Sequence, residues 1–210
     1  MKQLLSLTAL TVFTCAAAIA QGNNDRQLVM DRTLPSNGTV VLDMNVGDVK
    51  IIPSTTANQL RLEIHADSQY DQQALASWVK RFDVTGERAT INIQVPKGHN
   101  HNSNFSMVLY VPVQSALKAD LSVGDLTIQG IRGDKEVHVG IGDLRIGYHD
   151  PAEYAHVETS THIGDIGDPL RQGGESGFLG KSEDFTKQGR FHLRASVGIG
   201  DLKLFDEGQS

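Results

Sequence analysis

The sequence predicts an all-β fold: a single-domain β-solenoid of stacked strands with Gly-Asp corners and one short amphipathic helix. Three observations lead there. A Gly-Asp pair recurs five times, as Gly47-Asp48, Gly124-Asp125, Gly142-Asp143, Gly164-Asp165 and Gly200-Asp201. Apolar residues alternate with polar ones on both sides of each pair, the two-residue period of half-buried strands. The last four pairs follow one another at spacings of 18, 22 and 36 residues, a coil-like repeat of units that cannot each close a core.

Aligning the pairs shows what the repeat specifies. Val46, Val123, Ile141, Ile163 and Ile199 stand one residue before the Gly. Met44, Leu121, Val139 and Val197 stand three before it, and Leu42, Ala119, Val137 and Ala195 five before. Beyond the pair, Val49, Leu126, Leu144, Ile166 and Leu202 come two after the Gly, and Ile51, Ile128, Ile146 and Leu204 four after. The phase slips by one residue at the pair itself. Gly can adopt positive φ there, and Asp can hydrogen-bond its own backbone. Each copy is therefore expected to be a strand, a corner and a second strand, with all of these apolar rows facing one core. Lys50, Thr127, Arg145 and Lys203 occupy the outward third place after the Gly. An antiparallel sandwich of short strands is the competing architecture, but its turns would have no reason to repeat their chemistry.

The remaining elements follow in chain order. Residues 1–20 have the form of a secretory signal peptide: Lys2, an apolar run from Leu4 to Ile19, and Ala18-Ile19-Ala20 as a small-x-small cleavage site. Cys15 is the only cysteine, and Val12-Phe13-Thr14 before it is a poor match to a lipoprotein signal. Cleavage leaves a chain without disulfides or thiolate metal sites, whose stability must come from burial. It also leaves 18 basic residues (19 less Lys2) against 25 acidic ones, a balance that argues against general attraction to nucleic acid or anionic lipid.

Residues 21–27 read as a flexible leader, 28–206 as the domain and 207–210 as a tail. Leu28 to Leu34 reads as an edge strand and Pro35-Ser36-Asn37-Gly38 as a turn. Thr39 to Ile52 carries the first copy, and Leu60, Leu62 and Ile64 mark another strand. Leu75, Trp78, Val79 and Phe82 fall at helical spacing and predict a helix over 70–82, with Asp71 as its N-cap and Trp78 packed on the sheet. A hairpin follows around Gly86, then a polar loop over 97–104 and a strand from Phe105 to Val111. The 36-residue gap before the last copy holds a glycine-rich surface excursion over 172–189.

The run Leu109-Tyr110-Val111-Pro112, then Leu117 to Ile128 with its Val-Gly-Asp-Leu, and the further Gly-Asp copies resemble the bacterial putative-adhesin family of unknown function, also called toast-rack domains. The resemblance covers about Val40 to Leu204. It implies an exported or cell-envelope, single-domain β-solenoid without established catalysis, and it offers no catalytic residues to carry over.

Stacked in register, the five Asp carboxylates would form a column that repels itself unless cations or backbone donors intervene. Gly140-Ile141-Gly142-Asp143-Leu144 and Gly198-Ile199-Gly200-Asp201-Leu202 are only distant echoes of calcium-binding solenoid repeats, and turn-capping Asp is the expected role. His99 and His101 could chelate a metal in a rigid loop, but no third ligand is visible. His138, His156, His162 and His192 fall in or near outward strand positions. Glu153, Glu158, Asp165, Asp168 and Arg171 invite a polysaccharide-active reading of the kind some parallel β-helices support. Serine-nucleophile, Walker and Rossmann patterns are lacking.

No catalytic residue, cofactor or metal is therefore assigned, and the Gly-Asp residues are expected to be structural corners. The expected function is that of an exported, non-enzymatic, adhesin-like or structural module, periplasmic, secreted or at the cell surface, without an integral membrane segment after cleavage. Its expected partner is an envelope protein or a glycan, with self-association as a second mode. Carbohydrate or cell-wall binding is the alternative, and a polysaccharide-active enzyme a further one.

Overall fold

The computed structural model describes residues 26–66, 70–96, 105–167, 179–186 and 188–207. Among them the alternating patterns become strands of two eight-stranded mixed sheets. The first sheet runs β1 (Arg26–Thr33), β4 (Gln59–Ala66), β7 (Phe105–Val111), β3 (Asp48–Pro53), β9 (Leu126–Ile128), β11 (Leu144–Tyr148), β16 (Leu202–Asp206), β13 (Ile166–Gly167). The second runs β14 (Leu179–Thr186), β12 (Tyr154–Ile163), β15 (Phe191–Ile199), β10 (Lys135–Ile141), β8 (Ala116–Val123), β2 (Thr39–Val46), β6 (Arg88–Ile93), β5 (Val79–Thr85).

Both sheets are parallel through their middle; the second is antiparallel at both edges and the first at its β1 edge only, β13 pairing in parallel with β16. Thus β2, β8, β10, β15 and β12 pair in parallel, whereas β14 closes antiparallel on β12 and β5 on β6. In the other sheet β1 and β4 form the antiparallel edge.

Parallel register turns the repeat into rows. Leu42, Ala119, Val137 and Ala195 lie side by side across β2, β8, β10 and β15, and Met44, Leu121, Val139 and Val197 form the next row. Val49, Leu126, Leu144, Leu202 and Ile166 form the matching row of the facing sheet. All of these side chains are buried, so the two sheets meet over one core. Such rows are the non-directional half of the stabilisation, and each filled aliphatic position contributes roughly 1.5–3 kcal/mol relative to exposure.

Two expectations are corrected here. The stack is not a solenoid wound in chain order, because the last copy, β15 and β16, lies between β10 and β12 in one sheet and between β11 and β13 in the other. The side chains explain the order. β15 brings Ala195 and Val197 against Val137 and Val139, keeping the apolar copies contiguous. The fourth copy carries Thr159 and Thr161 in these inward rows and is left nearer the rim. Thr161 Oγ1 donates to the Gly200 carbonyl at 3.2 Å, whereas the Thr159 hydroxyl is buried without a hydrogen-bond partner. The excursion over 172–189 is likewise not all loop: residues 179–186 form β14, and 168–178 lie outside the described residues.

The helix is also shorter than its spacing predicts. α1 spans Gln72–Trp78, with the Asp71 carboxylate accepting from the Ala74 amide at 2.7 Å. From Val79 onward the chain pairs with β6, so Phe82 reaches the core from a strand. Trp78 packs edge-on against Tyr70 at 5.0 Å and Phe105 at 5.2 Å. No helix among the described residues is long and apolar enough to cross a membrane. The stretches expected to be signal peptide, leader and polar loop, 1–20, 21–27 and 97–104, lie outside the described residues, except for Arg26 and Gln27, which begin β1.

At each corner the Gly carries the turn. Gly47, Gly124, Gly142, Gly164 and Gly200 have φ between 129° and 141°, where an L side chain is strained. They also stack: a Cβ on Gly142 would overlap the Gly124 carbonyl oxygen, and one on Gly200 the Gly142 carbonyl. Gly142→Ala therefore combines backbone strain with a collision against main chain that cannot rotate away. We expect it to cost at least about 3 kcal/mol in urea unfolding, or to abolish folding. A loss below about 1 kcal/mol would show that the corner tolerates a side chain.

Candidate functional site: the Gly-Asp edge and the buried lysine

Across each corner the main-chain hydrogen bonds run from one copy to its neighbour in space. Gly47 N–H donates to Val123 O at 3.0 Å, Gly124 to Ile141 at 2.8 Å, Gly142 to Ile199 at 2.9 Å and Gly200 to Ile163 at 2.9 Å. Two residues on, Val49 donates to Asp125 O, Leu126 to Asp143 O, Leu144 to Asp201 O and Leu202 to Asp165 O, at 2.8–2.9 Å. The Asp amide between them points the other way and meets a carboxylate. Asp125 N–H donates to Asp48 Oδ1 at 3.2 Å, Asp143 to Asp125 at 2.9 Å, Asp201 to Asp143 at 3.0 Å and Asp165 to Asp201 at 2.9 Å.

Asp48, Asp125, Asp143 and Asp201 thus each cap the turn of the adjacent copy, whereas the residue type had suggested a cap on their own backbone. Carboxylates one strand apart, about 4.8 Å, repel by roughly 1 kcal/mol in water. A hydrogen bond to a charged acceptor contributes about 1.5–3 kcal/mol. The ladder is therefore favourable without a cation. Among the described residues no group of three or more His, Cys, Asp or Glu could hold a metal ion.

The row before the glycines departs from its expected place. Val46, Val123, Ile141 and Ile199 were expected in the core, yet they are 37%, 41%, 50% and 47% exposed. With half-buried Ile163 they form a continuous file in register along the edge. The cause is the turn: the strand leaves the sheet plane one residue before the Gly, so the alternation that buries Met44 does not carry on to Val46. Four of the five exposed large hydrophobic residues found among the described residues belong to this file, so it is not scattered surface. Beside it run the Asp file and then, on the outer face of the first sheet, Lys50, Thr127, Arg145 and Lys203 in register.

The opposite edge, where strands return from the first sheet to the second, holds a feature the repeat did not announce. Lys135 is 2% exposed in an inward row between Leu117 and Leu193. Its Nζ donates to the Tyr154 hydroxyl at 2.6 Å and to the Gly133 carbonyl at 3.2 Å. Burial pushes the ammonium down from 10.5 to about 8, opposed by Glu207, Glu153 and Asp134. Burial raises the Tyr154 hydroxyl well above its usual 10, and the same carboxylates add to the effect. The pair separates a shallow cleft of about 470 Å³, with Lys118, Glu136, His156, Glu158, His192 and Arg194 in its wall, from one of about 200 Å³ bordered by Arg132, Glu153 and Glu207. The lysine's phase, two residues before buried Val137, is the signal that could have revealed it.

The other sequence candidates are dispersed. Glu153 and Asp165 flank opposite ends of β12, and Glu158 is paired with Arg194 at 2.7 Å on the outer face. Asp168, Arg171, His99 and His101 lie outside the described residues. His138 Nδ1 is 2.9 Å from Ser196 Oγ, and His192 Nδ1 is 3.6 Å from Asp134. His156 stands in register with His192, and His162 is exposed near the corner. Among the described residues, Glu153, Glu158 and Asp165 are thus not brought together.

No family model matches the chain, and no curated protein matches it by sequence. Solved structures do. A putative cell adhesion protein from Clostridium sporogenes ATCC 15579 aligns at 11% identity and a TM-score of 0.52, over 85% of this chain and 99% of that one. A putative adhesin from Bacteroides fragilis NCTC 9343 aligns at 12% identity and 0.42, over 86% and 97%. Another, from Parabacteroides merdae ATCC 43184, aligns at 12% and 0.30, over 85% and 81%. The first of these likenesses shows a shared fold, in keeping with the resemblance read from the sequence to a putative-adhesin family of unknown function.

Lys135 makes stability depend on pH. Between its folded value of about 8 and the unfolded 10.5 the unfolded chain holds more protons, so stability rises with pH across that window. Above 10 the raised Tyr154 reverses the sign, because the folded chain then keeps the proton that the unfolded chain loses. Lys135→Met should stabilise the protein by about 3 kcal/mol at neutral pH, the cost of holding that buried charge, and the gain should shrink as pH approaches 10.5. Urea unfolding of both proteins between pH 6 and 11 checks this, and a gain independent of pH would contradict it.

Proposed function

We propose that the chain is an exported, non-enzymatic, adhesin-like interaction module of the cell envelope. In this reading the Gly-Asp ladders act as a solenoid-like rigid stack, and the corner edge is the surface it presents. The observation that carries the proposal is the in-register file of exposed Val46, Val123, Ile141 and Ile199. A position that only turned the chain could hold any polar residue, yet all five copies place a β-branched aliphatic side chain there. Backbone hydrogen bonds from copy to copy hold the file in place, so docking would order few side chains. Fold likeness to a protein named as a putative cell adhesion protein supports the same reading.

A glycan partner is less well supported, since among the described residues no Trp, Tyr or Phe lines the larger cleft to stack on a sugar ring. Trp78 and Tyr154 are buried.

The test replaces Val123, Ile141 and Ile199 together by Thr, which keeps the β-branch and removes the apolar surface. Melting temperature should change little, because surface substitutions of this kind stay within about 0.5 kcal/mol each. Binding of protein-coated beads to whole cells bearing the protein should fall at least about tenfold, equivalent to about 1.4 kcal/mol. Unchanged binding would remove the corner edge from the account.

A further inference from the structure

We propose that Arg32 is a clasp that shuts the seam between the two sheets against an added strand, so that copies of this chain do not pair edge to edge there. The inference is independent of the corner-edge reading, because it concerns a bare main-chain edge and not a file of side chains.

The seam lies between β1 and β5. β1 begins the first sheet and β5 ends the second, and among the described residues each pairs along one side only. In antiparallel pairing, alternate residues turn both main-chain groups away from the partner strand. On β1 the carbonyls of Gln27 and Asp31 accept bonds from side chains, Gln72 Nε2 at 3.3 Å and Arg32 Nη1 at 2.8 Å. Val29 shares their phase, so its N–H and C=O face the open side. On β5 the Phe82 carbonyl accepts from Arg32 Nε at 3.1 Å, and Val84 shares its phase. Among the described residues neither Val29 nor Val84 has a main-chain partner across the seam.

Apolar side chains add to the exposure. Leu28 and Met30 of β1 and Val84 of β5 pack against the core yet are only half-buried, whereas Leu62 and Ile64 on β4 are fully covered. An entering strand would gain both a hydrogen-bond ladder and apolar cover, the combination that makes bare edges pair with other chains.

Two elements guard the seam. α1 stands beside β1 at the Gln27 end, with Leu75 and Trp78 buried beneath it. The Asp31 end is left to one side chain. The Arg32 guanidinium holds a carbonyl on each edge and lies 5.0 Å from the centroid of the Phe82 ring. Its planar fork can hold two acceptors on different strands at once, which a lysine's ammonium on a flexible stem does less firmly. A strand adding to β1 or β5 needs those same carbonyls and must first displace the fork. Arg32 is itself exposed, and a charge on an edge further opposes a second copy carrying the same charge. With the seam shut, association is left to side-chain surfaces such as the corner file.

Amide hydrogen exchange at Val29 and Val84, read together with sedimentation across a dilution series, tests this. In the wild-type chain both amides should exchange as open edge groups at every concentration. Arg32→Ala should form concentration-dependent oligomers in which at least one of these amides slows by at least about tenfold. If Arg32→Ala misfolds by circular dichroism, Arg32→Lys, which keeps the charge, decides, with an expected slowing of at least about threefold. Variants that lose stability yet stay monomeric make Arg32 a packing residue and overturn the clasp. Oligomers that leave both amides fast put the contact elsewhere and overturn it too. Concentration-dependent protection in the wild-type chain would show a seam already open, against the proposal. The threonine variant at the corner leaves the seam intact, so failure of the clasp and failure of the corner-edge reading are told apart.

Discussion

Everything distinctive about this fold depends on one reversed amide. A Gly with φ near 130° lets the chain pass from one sheet to the other in a single residue, but it turns the next N–H away from the neighbouring strand that serves the rest of the corner. Left unpaired, that amide would cost about 1–3 kcal/mol in every copy. In four of the five copies the Asp carboxylate of the adjacent copy accepts it. Gly and Asp are therefore needed together, and those four corners are each completed by a neighbour. This explains why the pair recurs as a unit and why the copies must stack in register.

Register has consequences at both edges. Along the corner it gathers single exposed Val and Ile side chains into a file that none of the repeats could form alone. Across the faces it sets Lys118 against Glu136, at 2.8 Å, and Arg194 against Glu158. At the return edge it places Lys135 in an inward row beside leucines, where its stem packs and, among the described residues, its ammonium has a phenol and a carbonyl as acceptors. Exposed pairs of the first kind contribute little. The buried charge costs stability at neutral pH.

Much of this was legible in the sequence because burial follows period two. Leu42, Met44, Val49 and Ile51 and their counterparts are core residues, as their alternation says. Three things were not legible. Alternation alone cannot show where a strand leaves the sheet plane, so Val46 and Ile141 read as core. Chain order cannot show that β15 inserts between β10 and β12, although Thr159 and Thr161 at inward places hint that the fourth copy lies nearer the rim. Residue type cannot distinguish an Asp that caps its own turn from one that caps a neighbour's, because that depends on the stack itself. Lys135 was legible in principle, since it breaks an apolar row, but a lysine at a strand's first residue reads by default as a solvated end.

Native-state hydrogen exchange at the amides of Asp125, Asp143, Asp201 and Asp165 tests the central claim most directly. These residues sit at the molecular surface, where a turn amide ordinarily exchanges fast. If the neighbouring carboxylate holds each one, their protection should match that of the adjoining strand amides of Leu126, Leu144 and Leu202. Exchange at the rate of an open loop would contradict the account, because the Asp would then be a surface residue and the corners would stack without it.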